Sequence, residues 1–253
     1  MSTVLITLVL YFLFAFTVGT VKKNHGLVDI AWGMGFVVSG LAALLTHEIT
    51  PVKLLGFSMM LIWGLRLSIY LFIRNWGKTE DKRYTDMRKR WVKHPYLYSF
   101  LNVYALQGVL LFLINQPYYQ LAFLTDPQLS LVSYVAIFFW VIGFIFEVLG
   151  DKQLSDFRKN PDNKGKLITS GLWSITRHPN YFGEALMWWS MAAYSVSVGA
   201  PIAVLLSALL ITLFLRYVSG VPLLEKKYKD REDFKIYAKN TSVFIPWFKG
   251  NNK

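Results

Sequence analysis

Long apolar runs separated by short polar segments make up most of the chain. A helix that crosses the hydrocarbon core of a bilayer needs about 20 mostly apolar residues. Runs of roughly that length predict an all-α, polytopic membrane helix bundle with about seven transmembrane helices. The predicted spans are residues 2–21, 27–46, 54–73, 97–115, 129–149, 181–198 and 201–219, of which the sixth is the shortest.

The composition agrees with a membrane protein and narrows its chemistry. Of the 253 residues, 54% are hydrophobic and 17% are charged, whereas a soluble domain carries about 25% charged residues. No repeat or linker interrupts the chain, so we predict a single membrane domain over 1–253. The chain has no cysteine, which excludes disulfides, thiolate catalysis and cysteine-ligated metals. We predict no metal site.

The basic residues are distributed unevenly, and their distribution predicts an orientation. A net charge of +12 could indicate nucleic-acid binding, but 25 of the 27 lysine and arginine residues lie in the odd-numbered loops, at the end of the last span or in the tail. The two exceptions are Lys53 and Arg66. Because positive residues stay cytoplasmic, we predict that the N-terminus is outside and the C-terminus cytoplasmic, and we predict no nucleic-acid partner.

Several polar residues interrupt the predicted spans, where such residues usually have a partner or a function. Asp29 lies near the start of the second span, where it either stabilises the helix start through the helix dipole or takes part in chemistry. Arg66 lies near the centre of the third span, where it either forms a structural ion pair, with Asp29 or Glu147, or anchors a ligand. The full set is Asp29, Arg66, Gln107, Glu147, Glu184 and Arg216.

Two carboxylates and an arginine share one helix face at the cytoplasmic end of the fifth span. Glu147 and Asp151 are four residues apart, and Arg158 returns to their face if the helix continues. Carboxylates accept hydrogen bonds from ribose hydroxyls, and arginine binds phosphate. The face is therefore either a cofactor-binding surface or a solvated helix end.

The segment GLWSITRHPNYFGE, residues 171–184, holds the densest group of polar residues. Pro179 favours a helix start, and helix starts present free N–H groups that bind phosphate. The neighbouring side chains add hydrogen-bond donors and one acceptor. A His–Pro pair alone is usually structural, but a group this rich at a membrane mouth favours a functional site. Its members are Arg177, His178, Asn180, Tyr181 and Glu184.

The same segment resembles the C-terminal domain of the steroid 5-alpha-reductase family, which includes membrane-embedded enoyl and sterol reductases. The similarity extends over residues 142–248 and includes GDKQLSDFRKNP upstream and a closing PWF run. Across the whole chain, VDIAWG, RNWGKTEDKRY, TRHPNYFGE and FIPW resemble an uncharacterised, mostly bacterial branch of that superfamily.

The resemblance implies a seven-helix bundle that holds NADPH at its cytoplasmic side and takes a lipid substrate from the bilayer. Asp151 and Arg158 match the family's Asp-x6-Arg cofactor contacts, and Asn180 and Glu184 match its Asn-x3-Glu pair. Glu147 stands where relatives have asparagine. The predicted cofactor-binding residues are Glu147, Asp151, Arg158, Arg177, His178, Asn180, Tyr181, Glu184, Arg216 and Tyr237.

The chain departs from the steroid reductases at the position of their keto-binding tyrosine. That tyrosine lies three residues before the arginine of the third span and works with a glutamate, whereas Trp63 stands there in this chain. We predict an NADPH-dependent reductase of an activated C=C bond in a steroid-like, enoyl or isoprenoid lipid, in which the protein supplies orientation and a proton. Candidate proton donors are Tyr70, Tyr84 and Tyr104, and the predicted catalytic group is Tyr84, Arg66 and Asp29.

A second interpretation comes from another reaction class. Isoprenylcysteine carboxyl methyltransferases and phospholipid methyltransferases share RHPxY, followed by a glutamate and a tyrosine near a final proline, and bind S-adenosylmethionine. Glu225 and Tyr237 fit that arrangement, although a methyltransferase needs no upstream Asp-x6-Arg element. A non-catalytic lipid-binding protein is a third interpretation. The resemblance implies a multi-pass protein of the bacterial inner membrane with its cofactor site on the cytoplasmic side.

Overall fold

A computed structural model describes residues 1–75, 77–91 and 93–247, and these residues form helices and connecting turns without any β-strand. Two segments of the described chain are π-helical, Phe100–Ala105 and Phe214–Val218. The α-helices are α1 (Ser2–Val21), α2 (Leu27–Leu44), α3 (Pro51–Asn75), α4 (Lys82–Arg90), α5 (Pro95–Ser99), α6 (Leu106–Ile114), α7 (Gln116–Ala122), α8 (Leu131–Lys159), α9 (Pro179–Ser197), α10 (Leu205–Leu213), α11 (Val221–Glu225) and α12 (Glu232–Asn240).

Six helical segments of the described chain are long and apolar enough to cross a membrane, which confirms the all-α, multi-pass prediction. The predicted number was seven, and the difference is α9. This helix has 19 residues, so its length suffices, but its polar residues make it less apolar than the other six. The six segments are Ser2–Val21, Leu27–Leu44, Pro51–Asn75, Pro95–Ile114, Leu131–Lys159 and Ile202–Glu225.

Large apolar side chains point outward along these helices. Phe14 is 68% exposed, Ile73 is 75% exposed and Phe138 is 62% exposed. In water such extensive apolar exposure would drive association. In a bilayer the acyl chains cover it, because lipid is as apolar as the side chains.

The chain divides into two compact units, the first made of Met1–Ser130 with Ser195–Val204 and the second of Leu131–Tyr194 with Leu205–Lys253. In the first unit, α2 and α3 approach closely at Gly33 and Gly64. A Cβ on Gly33 would lie 2.5 Å from the Gly64 oxygen. Small residues allow membrane helices this close approach. The prediction of one membrane domain over 1–253 stays a prediction.

The second unit contains the described part of the region 142–248, apart from residues 195–204. Here α8 and α9 cross at Gly143 and Gly183, where a Cβ on Gly143 would lie 2.7 Å from the Gly183 oxygen. A Cβ on Gly183 would in turn lie 2.6 Å from the Glu147 nitrogen. Two glycines thus bring the C-terminal half of α8, with its carboxylates, against the start of α9.

Candidate functional site

The segment 171–184 is held against α8 before α9 begins. Trp173 Nε1 donates to the Gly150 carbonyl at 3.1 Å. Gly171 has φ +63°, a left-handed conformation that favours glycine. α9 then starts at Pro179, whose fixed φ suits the first turn of a helix. The polar residues of the motif therefore lie at the N-terminal end of α9, beside α8.

Arg177 joins this segment to the C-terminal helices. Its Nε donates to Glu225 Oε1 at 2.8 Å and its Nη2 to Glu225 Oε2 at 3.3 Å. Its Nη1 donates to the carbonyls of Ala238 at 3.0 Å and Thr241 at 2.8 Å. A guanidinium has five N–H donors, so protein groups use most of them. The prediction that Arg177 binds a cofactor stays a prediction, and its observed contacts are structural.

His178 is buried and shares the same carboxylate. Its Nε2 lies 3.0 Å from Glu225 Oε1, and because a carboxylate only accepts, Nε2 carries the proton. The ring stacks on Tyr181 with centroids 5.6 Å apart. The Nδ1 atom is buried and has no hydrogen-bond partner among the residues that the structure describes. Glu225 thus holds the histidine ring in place, and Nδ1 stays available to accept a hydrogen bond.

The end of the chain runs beside the same motif. The Arg177 N–H donates to the Ser242 carbonyl at 2.8 Å, and the Trp247 N–H donates to the Ile175 carbonyl at 3.0 Å. Backbone hydrogen bonds therefore join segments 175–177 and 242–247, which are about 65 residues apart in the chain. Phe248, the last residue of the PWF run, lies outside the described residues.

Tyr237 supports this arrangement from α12. Its hydroxyl donates to the Trp173 carbonyl at 2.5 Å. Burial raises the pKa of Tyr237, and the neighbouring Glu225 carboxylate acts in the same direction. The phenol therefore stays protonated and continues to donate at neutral pH. The Tyr237 side chain therefore connects α12 to segment 171–184 through this hydrogen bond.

Asp151 and Asn180 bring the two predicted cofactor motifs together. Asn180 Nδ2 donates to Asp151 Oδ1 at 3.1 Å, and Asp151 is buried. Gly150 allows this approach, because a Cβ there would lie 3.1 Å from the Asn180 nitrogen. Asn180 Oδ1 is buried and has no partner within the described part of the chain. The contact leaves one buried acceptor at the α8–α9 junction.

The remaining members of the predicted cofactor set surround this junction or lie further along the helices. Glu147 is buried on α8 and Glu184 is half-buried one turn into α9. Arg158 is exposed near the end of α8, and no carboxylate contacts it in the described ranges. Arg216 lies in the π-helical segment after α10, its guanidinium carbon 4.7 Å from the centroid of the Tyr217 ring. π-Helical turns are frequent at functional sites.

In the first unit the structure brings together two of the three predicted catalytic residues. The Tyr84 hydroxyl donates to Asp29 Oδ1 at 2.6 Å, and Arg83 Nη2 donates to Asp29 Oδ2 at 3.1 Å. Burial, followed by the Asp29 carboxylate, raises the pKa of Tyr84. The cationic partner of Asp29 is thus Arg83, and the tyrosine keeps its proton.

Arg66 and Trp63, both on α3, lie beside aromatic rings. The Arg66 guanidinium carbon lies 5.1 Å from the centroid of the Tyr70 ring. Trp63 is buried, and its ring centroid lies 5.2 Å from that of Phe36. Trp63 therefore packs in the core, at the position that the sequence comparison with steroid reductases predicted for a tyrosine.

The sequence analysis missed a buried histidine beside Tyr104. His25 Nδ1 lies 2.9 Å from the Tyr104 hydroxyl, and the His25 N–H donates to Glu80 Oε1 at 2.7 Å. Glu80 also binds Arg88. His25 lies in a short turn between two predicted spans, where a single histidine carries no periodic signal.

Two fungal proteins are similar to parts of the chain, and the name of one of them states an activity. The chain is 26% identical over 196 residues to uncharacterized protein C594.04c of Schizosaccharomyces pombe, covering 66% of this chain and 56% of that protein. It is 44% identical over 58 residues to probable O-methyltransferase ustE of Ustilaginoidea virens, covering 23% of this chain and 19% of that protein. The chain thus spans about half the length of the first relative and less of the second.

No solved structure matches the chain. A family model described as "Protein of unknown function (DUF1295)" matches residues 15–241, which is most of the sequence. The chain therefore belongs to the DUF1295 family.

Proposed function

We propose that this protein is a membrane-embedded reductase that uses NADPH to reduce an activated C=C bond in a lipid. We place it in the bacterial inner membrane, with its cofactor site on the cytoplasmic side. The observation that carries the proposal is the hydrogen bond between Asp151 and Asn180. It joins the two motifs, Asp-x6-Arg and Asn-x3-Glu, that the resemblance to steroid reductases assigns to the cofactor.

The groups at the α8–α9 junction fit a dinucleotide. Asn180 Oδ1 and His178 Nδ1 are buried atoms without partners in the described chain, and an amide or amine N–H would satisfy the Asn180 acceptor. Carboxylates such as Asp151 accept hydrogen bonds from ribose hydroxyls, and an unpaired arginine such as Arg158 binds phosphate. NADPH supplies the hydride when it is bound.

We propose Tyr84 as the proton donor. Tyr84 holds a proton on its hydroxyl, and Asp29 fixes the direction of that hydroxyl through the 2.6 Å hydrogen bond. When the hydroxyl turns from Asp29 to the substrate, it gives its proton to the carbon next to the reduced position and becomes a phenolate. The Arg83 guanidinium carbon, 5.5 Å from the centroid of the Tyr84 ring, offsets part of that negative charge. Asp29 and Arg83 thus position a donor that keeps its proton until substrate binds.

Arg158 provides the sharpest test of the cofactor's binding mode. Loss of one charge-assisted hydrogen bond costs about 1.5–3 kcal/mol, so Arg158→Ala should weaken NADPH binding about tenfold or more. Lys159→Ala is the matched control, because Lys159 is the neighbouring exposed cation and lies 3.6 Å from Asp156. Equal NADPH affinity in wild type and Arg158→Ala would contradict the proposal.

A methyltransferase that uses S-adenosylmethionine is the second candidate, and a different observation favours it. Glu225 accepts hydrogen bonds from both Arg177 and His178, which unites RHPxY with the glutamate that the methyltransferase interpretation singled out. The short similarity to a probable O-methyltransferase points the same way. If purified protein binds S-adenosylmethionine and not NADPH, this candidate replaces the reductase.

A further inference from the structure

Three neighbouring cations in the first unit have no carboxylate partner in the described part of the chain. Lys89 and Arg90 end α4, and Lys93 follows in the connection to α5. All three are exposed. Together we call them the basic patch. Two arginines of the same helix differ, since Arg83 contacts Asp29 and Asp81, and Arg88 contacts Glu80.

The basic patch adjoins aromatic and apolar side chains at the start of a candidate span. The Trp91 and Tyr98 rings lie 6.1 Å apart between centroids. Tyr96 is 64% exposed and Leu97 is 53% exposed, both on α5 at the beginning of Pro95–Ile114. Tyrosine and tryptophan concentrate at the level of lipid headgroups. The patch therefore lies beside the start of a candidate span, where a bilayer would present phosphate.

We propose that Lys89, Arg90 and Lys93 bind the phosphate headgroup of an anionic membrane lipid. Charge complementarity supports this occupant, because clusters of basic residues beside a membrane helix attract anionic lipid. The exposed apolar residues of the adjoining helix, such as Leu97 and Leu101, offer a surface for the acyl chains. A soluble protein partner would not account for the exposed apolar surface that lies beside the basic patch.

Lipid binding at the basic patch also has a consequence for catalysis. This consequence rests on the proposed function, whereas the lipid-binding proposal itself does not. The nine-residue helix α4 carries Lys89 and Arg90 of the basic patch at one end and Tyr84, bound to Asp29, near the other. A lipid on the patch therefore fixes the helix that holds the proposed proton donor.

The test measures lipid binding by detergent-purified protein with dioleoyl phosphatidylglycerol, dioleoyl phosphatidylcholine and inorganic phosphate as probes. One basic residue near an anionic surface contributes about 1 kcal/mol, or roughly fivefold. The triple variant Lys89→Gln, Arg90→Gln, Lys93→Gln should therefore bind phosphatidylglycerol about 100-fold more weakly. A charge-retaining variant, Lys89→Arg with Lys93→Arg, should bind like wild type and shows that charge, not folding, sets the affinity.

The matched control neutralises three cations that do have carboxylate partners. Lys152 contacts Asp156, Arg231 contacts Asp233 and Lys235 contacts Glu232. Their combined change to glutamine alters the net charge equally and should leave phosphatidylglycerol affinity within about twofold of wild type. Equal loss in both triple variants, equal affinity for phosphatidylcholine, or equal stabilisation by phosphate alone would each overturn the proposal. The last result would assign the patch to a soluble anion.

Discussion

At the scale of single residues, we expect two glutamates in the second unit to have different roles. Glu225 is tied to Arg177 and His178, and the side chains of Arg177 and Glu225 are only 12% and 21% exposed. Removal of one partner from a buried ion pair costs about 3–5 kcal/mol, and less where water reaches the pair. Glu184 lies one turn from Asn180, on the face assigned to the cofactor.

We predict that Glu225→Gln lowers the melting temperature with or without NADPH, because it weakens the contacts that hold α11 to the motif. Glu184→Gln is the matched change and should leave the melting temperature of the free protein near wild type while the shift caused by NADPH is lost. Thermal melting of both variants, with and without NADPH, checks the pair. A low melting temperature for free Glu184→Gln with an intact shift would refute the binding role of Glu184.

His25 predicts a dependence of stability on pH. Burial lowers the pKa of His25, Arg88 lowers it further, and Glu80 opposes them. The unfolded chain, with a histidine pKa of about 6.5, therefore binds the proton more readily than the folded protein. Stability should be unchanged by this group above about pH 6.5 and should fall as the pH decreases towards the lowered pKa.

Melting temperatures measured from pH 8 to pH 5 test this expectation. His25→Gln should remove much of the acid-side loss, whereas the same change at the exposed His94 should not. An unchanged pH profile in His25→Gln would show that other groups control acid stability.

At the scale of elements, the glycine crossing of α8 and α9 controls the distance between the cofactor motifs. We predict that Gly183→Ala separates these helices, because the new Cβ would meet the Glu147 backbone at 2.6 Å. NADPH binding should weaken at least tenfold as the Asp151–Asn180 contact is disturbed.

The control for this crossing is Gly108→Ala, also in a helix. The added Cβ there would meet the Phe12 ring at 3.1 Å, and a side chain can move where a backbone cannot. NADPH affinity should stay near wild type in the control. Equal affinity in Gly183→Ala and wild type would show that the crossing does not set the site.

Apolar length predicted the helices well, because hydrophobic runs report directly on the bilayer. The first prediction, 2–21, matches Ser2–Val21, and 54–73 lies within Pro51–Asn75. The prediction 129–149 stopped short of α8, which continues to Lys159. That extension is polar, so it leaves no hydrophobic signal, yet it carries Asp151 and Arg158.

The contacts of the site were less predictable from sequence than its residues. Asp151 and Asn180 were both singled out, but the glycines that bring them together look like ordinary small residues. The pairing of 175–177 with 242–247 joins distant segments, and such pairing has no periodic pattern. Glu225 was recognised only through the methyltransferase interpretation, since a charged residue after a span usually faces solvent.

At the scale of the whole molecule, the same pairing bears on the number of spans. Arg177 contacts Ser242 through the backbone, so both residues lie on one side of the membrane. Two residues on the same side are separated by an even number of crossings. If Ile202–Glu225 crosses the bilayer once between Arg177 and Ser242, then α9 must cross it as well. This contact favours seven spans, although the composition of α9 is less apolar than that of the six candidate segments.

Cysteine labelling of intact cells tests both the orientation and the number of spans. The chain has no cysteine, so each introduced thiol is the only one. Lys89→Cys, Lys164→Cys and Lys229→Cys should resist an impermeant reagent added outside, and Asp126→Cys should react. Reaction at Lys229→Cys with protection at Lys164→Cys would show that the chain crosses an odd number of times between them and would contradict seven spans.

The central claim is that the α8–α9 junction binds NADPH, and thermal melting of purified protein with competing cofactors tests it most directly. A ligand at 100 times its Kd stabilises the folded state by about 2.7 kcal/mol. NADPH should therefore raise the melting temperature saturably, by less in Asn180→Ala, while S-adenosylmethionine leaves it unchanged. A saturable rise with S-adenosylmethionine and none with NADPH would contradict the account.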